Sequence, residues 1–243
     1  MAGGLRTRAA SAGFRFRNVA LKLLLANVVV FFLQVVLGRW FSDAFKLTSA
    51  EIWAQPWTLL TSIFLHAGFT HLLFNMYALF LFGTLIEQRI GSRRFFWAYM
   101  AAGLAASLVF AVANPTSVAV GASGAIMGIL GLVIMLMPDL QVLFFFVIPM
   151  SMRTAGVIFA LIDLAGFAFG GTGIAHAAHL GGLACGLAYG YYLKRKGKSF
   201  RRGFQRRSGG YREPRRRNPY QDDDKTIELT KDELENYYRY GRL

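Results

Sequence analysis

Charged side chains are scarce over most of this 243-residue chain. Residues 24–193 hold only 6 basic groups (Arg39, Lys46, Arg89, Arg93, Arg94, Arg153) and 5 acidic ones (Asp43, Glu51, Glu87, Asp139, Asp163). Charged residues make up 16% of the whole chain, against about 25% in soluble domains. This excludes an ordinary soluble fold. Cysteine is nearly absent: Cys185 stands alone in an apolar stretch, which excludes an intramolecular disulfide, a cysteine-built zinc site and an iron–sulfur cluster. Internal repeats are lacking too, and Asp163 is the only midplane charge, so a small transporter, which would show symmetry or a charged path, is the weaker reading. There are only 4 histidines.

What fills the chain instead is apolar. Hydrophobic residues reach 55% and phenylalanine alone numbers 22, the composition of a membrane protein. The net charge of +14 resides in the two ends: of 27 Lys and Arg, 5 lie between Arg6 and Lys22 and 16 from Lys194 onward. A nucleic-acid interface would need a folded platform beside such a cluster, and none is visible. Attraction to anionic lipid headgroups fits better, at about 1 kcal/mol per basic residue near the surface.

Hydropathy divides the chain into a basic leader over residues 1–18, a six-span domain over 19–193 and a tail over 194–243. The first span, Val19–Leu37, is long enough to cross a hydrocarbon core of roughly 30 Å. No small-residue cleavage site follows it, so it reads as a span and not as a signal peptide. Residues 38–56 form a loop rich in interfacial tryptophan, with Trp40, Trp53 and then Trp57. Further spans are expected at 57–85, 95–112, 119–137, 154–169 and 173–193, with residues 142–149 as an interfacial stretch. Six spans put both ends on one side. The basic ends, the Arg89/Arg93/Arg94 loop and Arg153 fall on that side too, which the positive-inside bias makes cytoplasmic. A plasma (inner) membrane is the expected location, with an organellar transit segment at residues 6–17 as the alternative. In the tail, Thr230 and Glu233 have the spacing of a capping box opening a short helix over 230–240.

Polar groups inside membrane helices are costly and therefore informative. His66, His71 and Asn75 open the second span, the last two on one helical face. Gly121-Ala122-Ser123-Gly124 opens the fourth, and His176 and His179 share a face of the sixth. A serine hydroxyl becomes a nucleophile when a neutral imidazole takes its proton, so Ser123 with one of the two sixth-span histidines forms a candidate pair. A histidine pair also suits a metal site or a proton relay. Fixed donors are needed for the developing oxyanion; His71, Asn75 and the Ser123 N–H, at a helix start, are candidates. Gly121, Gly124, Gly128 and Gly131 form one small face and Gly182, Gly186 and Gly190 another, which lets helix backbones approach in lipid. Such faces also occur in transporters and channels.

Together these residues resemble the rhomboid family of intramembrane serine proteases, in its prokaryotic form with a six-span core. The segment from His66 through His71 to Asn75, the Gly121–Gly124 motif, the His179-Leu180-Gly181-Gly182 motif and the exit from the second span with Glu87 and Arg89 match that family in order, over roughly residues 20–193. The resemblance implies an all-α membrane protein, a bundle of six transmembrane helices. It picks His179 over His176 as the base, giving a Ser123/His179 dyad without a carboxylate. It also implies oxyanion stabilisation by His71 and Asn75, with Gly121, Gly124, His66, His176, Gly182 and Met127 in support. Substrates would be single-span membrane proteins cut near the outer face through an acyl-enzyme, with no cofactor and no metal. Where the family often has Trp-Arg in the first loop, this chain has Trp57-Thr58, so a different loop anchoring is expected. Met127 stands where a tyrosine often stacks on the catalytic histidine, and its thioether is expected to pack there instead. Asp163 is read as an interhelix hydrogen-bonding group above a third triad member. The rival within the same fold is a catalytically silent client-binding protein, which usually lacks Ser or His.

Overall fold

The computed structural model describes residues 18–208, apart from 145–146 and 171–172. Residues 1–17 of the leader and the expected helix at 230–240 therefore lie outside the described residues. Contacts divide the chain into two units, Met1–Lys198 and Ser199–Leu243. Of the second, only 199–208 are described, as helix.

The first unit is a helical bundle. Helix α1 (Val19–Leu37) is followed by a short α2 (Arg39–Phe45), a strand β1 (Leu47–Thr48), a 3-10 turn at Ser49–Glu51, α3 (Thr58–Thr61) and a second 3-10 turn at Ser62–Phe64. Helix α4 (Phe69–Ala78) passes through a π-helical turn, Leu79–Gly83, into α5 (Thr84–Ile90). Helix α6 (Ser92–Ala113), strand β2 (Val118–Ala119) and α7 (Ser123–Leu136) follow; strands β3 (Gln141–Phe144) and β4 (Ile148–Ser151) then lead to α8 (Met152–Phe169) and α9 (His176–Ser208).

Four of these helices are long and apolar enough to cross a membrane: Val19–Leu37, Phe69–Ile90, Ser92–Ala113 and Met152–Phe169. Their outward faces carry exposed Leu25, Phe32, Val35, Val112, Leu161 and Phe169, which water would not tolerate and lipid does. The chain is an all-α, multi-pass membrane protein.

Helix α7 is different. Every residue from Gly124 to Val133 is buried, as expected of a helix apolar all round and set in the middle of a bundle. Its 14 residues reach about 21 Å at 1.5 Å per residue. That is short of a core of roughly 30 Å, so at least one end stops inside.

Small residues let α7 sit so closely among its neighbours. A methyl on Gly124 would meet Ala106 of α6 and one on Gly128 would meet Ala102. On the other side, a methyl on Gly182 of α9 would overlap the Gly124 carbonyl, and one on Gly186 the Gly128 carbonyl. Of the two glycine faces expected from the sequence, Gly124, Gly128 and Gly131 with Gly182, Gly186 and Gly190 form the α7–α9 contact, with alanines of α6 closing the third side, whereas Gly121 lies ahead of α7 and meets His71.

One expectation needs correction. The second span does not begin at residue 57. The helix starts at Phe69, because 57–68 fold into α3, a 3-10 turn and an extended segment ending at Gly68. His66 therefore precedes the helix that carries His71 and Asn75. Across the stretch expected at an interface, β3 and β4 pair antiparallel, Gln141 with Ser151 and Val142 with Met150.

Glu87 explains its place at the exit of the second span. Its carboxylate accepts from the N–H groups of Val19 and Ala20, each at 2.8 Å, and from the Ser92 hydroxyl at 2.5 Å. One side chain thereby caps the start of α1, where backbone N–H groups lack intrahelical acceptors, and ties it to the α5–α6 corner.

Candidate active site

Ser123 is the first residue of α7, after Ala122 at the N-cap. The segment before it is held from two sides. Strand β1 of the first loop pairs with β2 through Leu47 opposite Ala119 and Thr48 opposite Val118. The Gly121 N–H donates to the Ser62 carbonyl at 2.9 Å. The first loop is itself anchored: Trp57 Nε1 donates to the Ala44 carbonyl at 3.0 Å and Thr61 Oγ1 to the Phe45 carbonyl at 2.9 Å. Thr58 folds its buried hydroxyl back onto the Gln55 carbonyl at 2.6 Å. Anchoring therefore runs through Trp57 and Thr61.

Across the α7–α9 contact, His179 Nε2 lies 2.8 Å from Ser123 Oγ. The other ring nitrogen, Nδ1, lies 2.9 Å from Asp163 Oδ1 of α8, and His176 Nδ1 lies 2.7 Å from the same oxygen. An ionised carboxylate only accepts, so an ionised Asp163 calls for hydrogen on both Nδ1 atoms. In that state His179 has its Nε2 lone pair facing the serine hydroxyl. Asp163, expected as an interhelix hydrogen-bonding group above a third triad member, links α8 to α9 through both sixth-span histidines, but it also stands against His179 where a triad's carboxylate would, so the expectation of a dyad with no carboxylate beside it needs correction.

These three side chains also bring metal-ligand types together, with donor atoms all within 4.8 Å of one another. Tetrahedral zinc, with ligands at about 2.0–2.1 Å, separates neighbouring donor atoms by about 3.3 Å. The observed 2.7 and 2.9 Å suit hydrogen bonds instead.

His71 approaches from α4. Its Nδ1 accepts from the Ala67 N–H at 3.3 Å, which leaves Nε2 as the protonated nitrogen. That end of the ring faces Gly121: a Cβ built on Gly121 would sit 2.7 Å from His71 Cε1, 2.9 Å from Nε2 and 3.7 Å from Ser123 Oγ. A side chain at 121 would therefore fill the gap between His71 and Ser123. With φ at +130°, the backbone there also favours glycine. Asn75 lies buried one turn further along α4, its Nδ2 donating to the His71 carbonyl at 2.9 Å.

His66 is buried beside His71, with ring centroids 5.2 Å apart and edge to face. Its ring nitrogens have no hydrogen-bond partner among the described residues. Met127 sits in the apolar cluster with Leu72, Met76 and Leu183. Sequence reasoning missed Gln34 of α1, whose amide accepts from the His66 N–H at 2.9 Å and donates to the His66 carbonyl at 3.4 Å. A lone glutamine in an apolar span was the available signal.

The chain's similarities agree with this geometry. The model of the rhomboid domain matches residues 53–196. Rhomboid protein 1, mitochondrial, of Saccharomyces cerevisiae is 33% identical over 190 residues, covering 74% of this chain and 54% of that protein. Rhomboid protease GluP of Bacillus subtilis is 40% identical over 134 residues, 54% of this chain and 25% of that one. Putative rhomboid protease YdcA of the same organism is 35% identical over 131 residues, 48% and 66% respectively. The chain thus spans about half the length of the first relative and a quarter of the second. With more than half of its length matched by the rhomboid domain, and with that match taking in all of the residues from His66 to Gly182 that carry the likeness, the chain belongs to the rhomboid family.

Proposed function

We propose that this chain is an intramembrane serine endopeptidase that cuts single-span membrane proteins near the outer end of their helix. The observation that carries the reading is the 2.8 Å approach of His179 Nε2 to Ser123 Oγ; in this reading the imidazole lone pair is directed at the hydroxyl.

In this reading Ser123 Oγ attacks the substrate carbonyl carbon as its proton passes to His179 Nε2. The displaced electron pair collects on the carbonyl oxygen, in the gap that Gly121 leaves open. There it meets the Nε2–H of His71, the Ser123 N–H with the positive end of the α7 dipole behind it, and the second amide hydrogen of Asn75. Collapse of the tetrahedral species breaks the C–N bond, and the leaving amine takes the proton back from His179. Water then repeats the sequence on the acyl-enzyme, with His179 again as base.

A substrate helix must unwind locally first, because a hydrogen-bonded helix shields its carbonyls. The cavity beside Ser123, lined by Gly103, Ala106, Ser107, Gly124 and Ala178, supports a preference for a small side chain at the cleavage site. The shortness of α7 supports a nucleophile set below the membrane surface, reached by water from the outer side.

The protease domain is taken as residues 19–193 in six spans, with α7 and the apolar part of α9 joining the four long apolar helices. The leader 1–18 and the tail 194–243 lie in the cytoplasm, where their basic clusters meet anionic headgroups of a plasma membrane. The charge distribution supports this orientation.

A fluorophosphonate probe tests the reading. Covalent labelling of the parent, lost in both Ser123→Ala and His179→Ala, is the expected result. A folded parent that no phosphonate labels would point to the silent client-binding alternative.

A further inference from the structure

Asp163 sits on α8, and the structure gives it a connection that a dyad does not require. Its Oδ1 accepts from His179 Nδ1 at 2.9 Å while His179 Nε2 holds Ser123 Oγ at 2.8 Å. Carboxylate, imidazole and hydroxyl form one continuous chain across three helices.

The site around the carboxylate is built for this. Its side chain is 7% exposed. A buried carboxylate that stays ionised needs donors to replace water, and two imidazole N–H groups converge on one oxygen. His176 supplies the second at 2.7 Å, its ring turned 83° from that of His179. Space for the His176 ring comes from Gly166, three residues after Asp163 on α8, where any Cβ would overlap the imidazole. One short stretch of α8 thus offers a carboxylate and, next to it, a notch for the histidine that clamps it.

We infer that Asp163 is a positioning residue for the proposed serine protease. It holds His179 in the tautomer with Nδ1–H and a free Nε2 lone pair, and stabilises the imidazolium that forms when Ser123 gives up its proton, with His176 fixing the carboxylate. The inference rests on the serine-protease reading of the same site. No proton leaves His179 for Asp163; the carboxylate stays ionised throughout, acting through hydrogen bonding and charge.

The test uses the full chain in proteoliposomes with a single-span reporter, comparing the parent with Asp163→Asn. Asparagine keeps the size of the side chain and removes its charge. The expected result is a fall in kcat of about a hundredfold or more, with KM within about threefold, and slower fluorophosphonate labelling of Ser123. Imidazole 15N spectra of the parent, with His179→Ala as the reference for assignment, should show His179 protonated at Nδ1.

Asp163→Asn with parental kcat and labelling rate overturns the inference and leaves the protease reading intact. A parent that neither cleaves nor labels sinks the reading itself. Where the variant melts well below the parent, the parental spectrum decides: a proton on Nε2 of His179 in place of Nδ1 overturns the inference.

Discussion

Gly121 and His71 make sense only together. A left-handed φ and the nearness of the His71 ring exclude a side chain at 121, and the Ala67 N–H at His71 Nδ1 turns the protonated Nε2 toward the space so left. His71→Ala removes that donor without touching Ser123 or His179. Its expected cost is about 10²–10³ in kcat, the usual scale for one oxyanion donor, with KM little changed, as measured by steady-state cleavage of a reporter. At this scale the sequence was informative wherever polarity was out of place in an apolar span. Ser123, His71, Asn75, His176 and His179 all stood out for that reason. The partnership of Asp163 was not legible, because spacing along a chain says nothing about which face of α8 meets α9. Gln34 was missed because it serves the backbone of His66, with no motif to mark it.

Glycine spacing decides how near the elements come. In an ordinary helix interior, Gly→Ala stabilises by about 1 kcal/mol through propensity. At Gly186 the sign reverses, since the new methyl would overlap the Gly128 carbonyl of α7 and overpacking of this kind costs about 1–3 kcal/mol. Gly186→Ala is therefore expected to lower the thermal unfolding midpoint in detergent and to slow cleavage, because separating α7 from α9 separates Ser123 from His179. An unfolding midpoint at or above the parent's would contradict the close α7–α9 contact. Hydropathy located Val19–Leu37 to the residue, since its interior polar groups, Lys22, Asn27 and Gln34, are too few to break the apolar run. It misplaced the start of the second span because residues 57–68 are as apolar as a membrane helix while their backbone turns through α3 and a 3-10 turn. The pairing of β3 with β4 was hidden for a related reason: apolar residues at an interface carry no helical or alternating pattern strong enough to separate strand from loop.

For the molecule as a whole, the bundle solves one problem by layers. Long apolar helices face lipid with Phe32, Val112 and Phe169, and they surround α7, buried from Gly124 to Val133 and too short to cross the bilayer. That arrangement places a polar cluster of serine, histidines and aspartate inside a membrane protein while keeping it away from lipid. The first loop closes over the segment ahead of Ser123 through the β1–β2 pairing, and Glu87 ties α1 to the α5–α6 corner. The central claim is that this architecture hydrolyses peptide bonds within the membrane through Ser123. Its most direct test is reconstitution of the full chain in liposomes with a doubly tagged single-span reporter, following product formation for the parent and for Ser123→Ala. The account expects a fragment cut near the outer end of the reporter helix with the parent and none with the variant, at equal reporter binding. Equal cleavage by both, or none by a folded parent across several reporters, would contradict it.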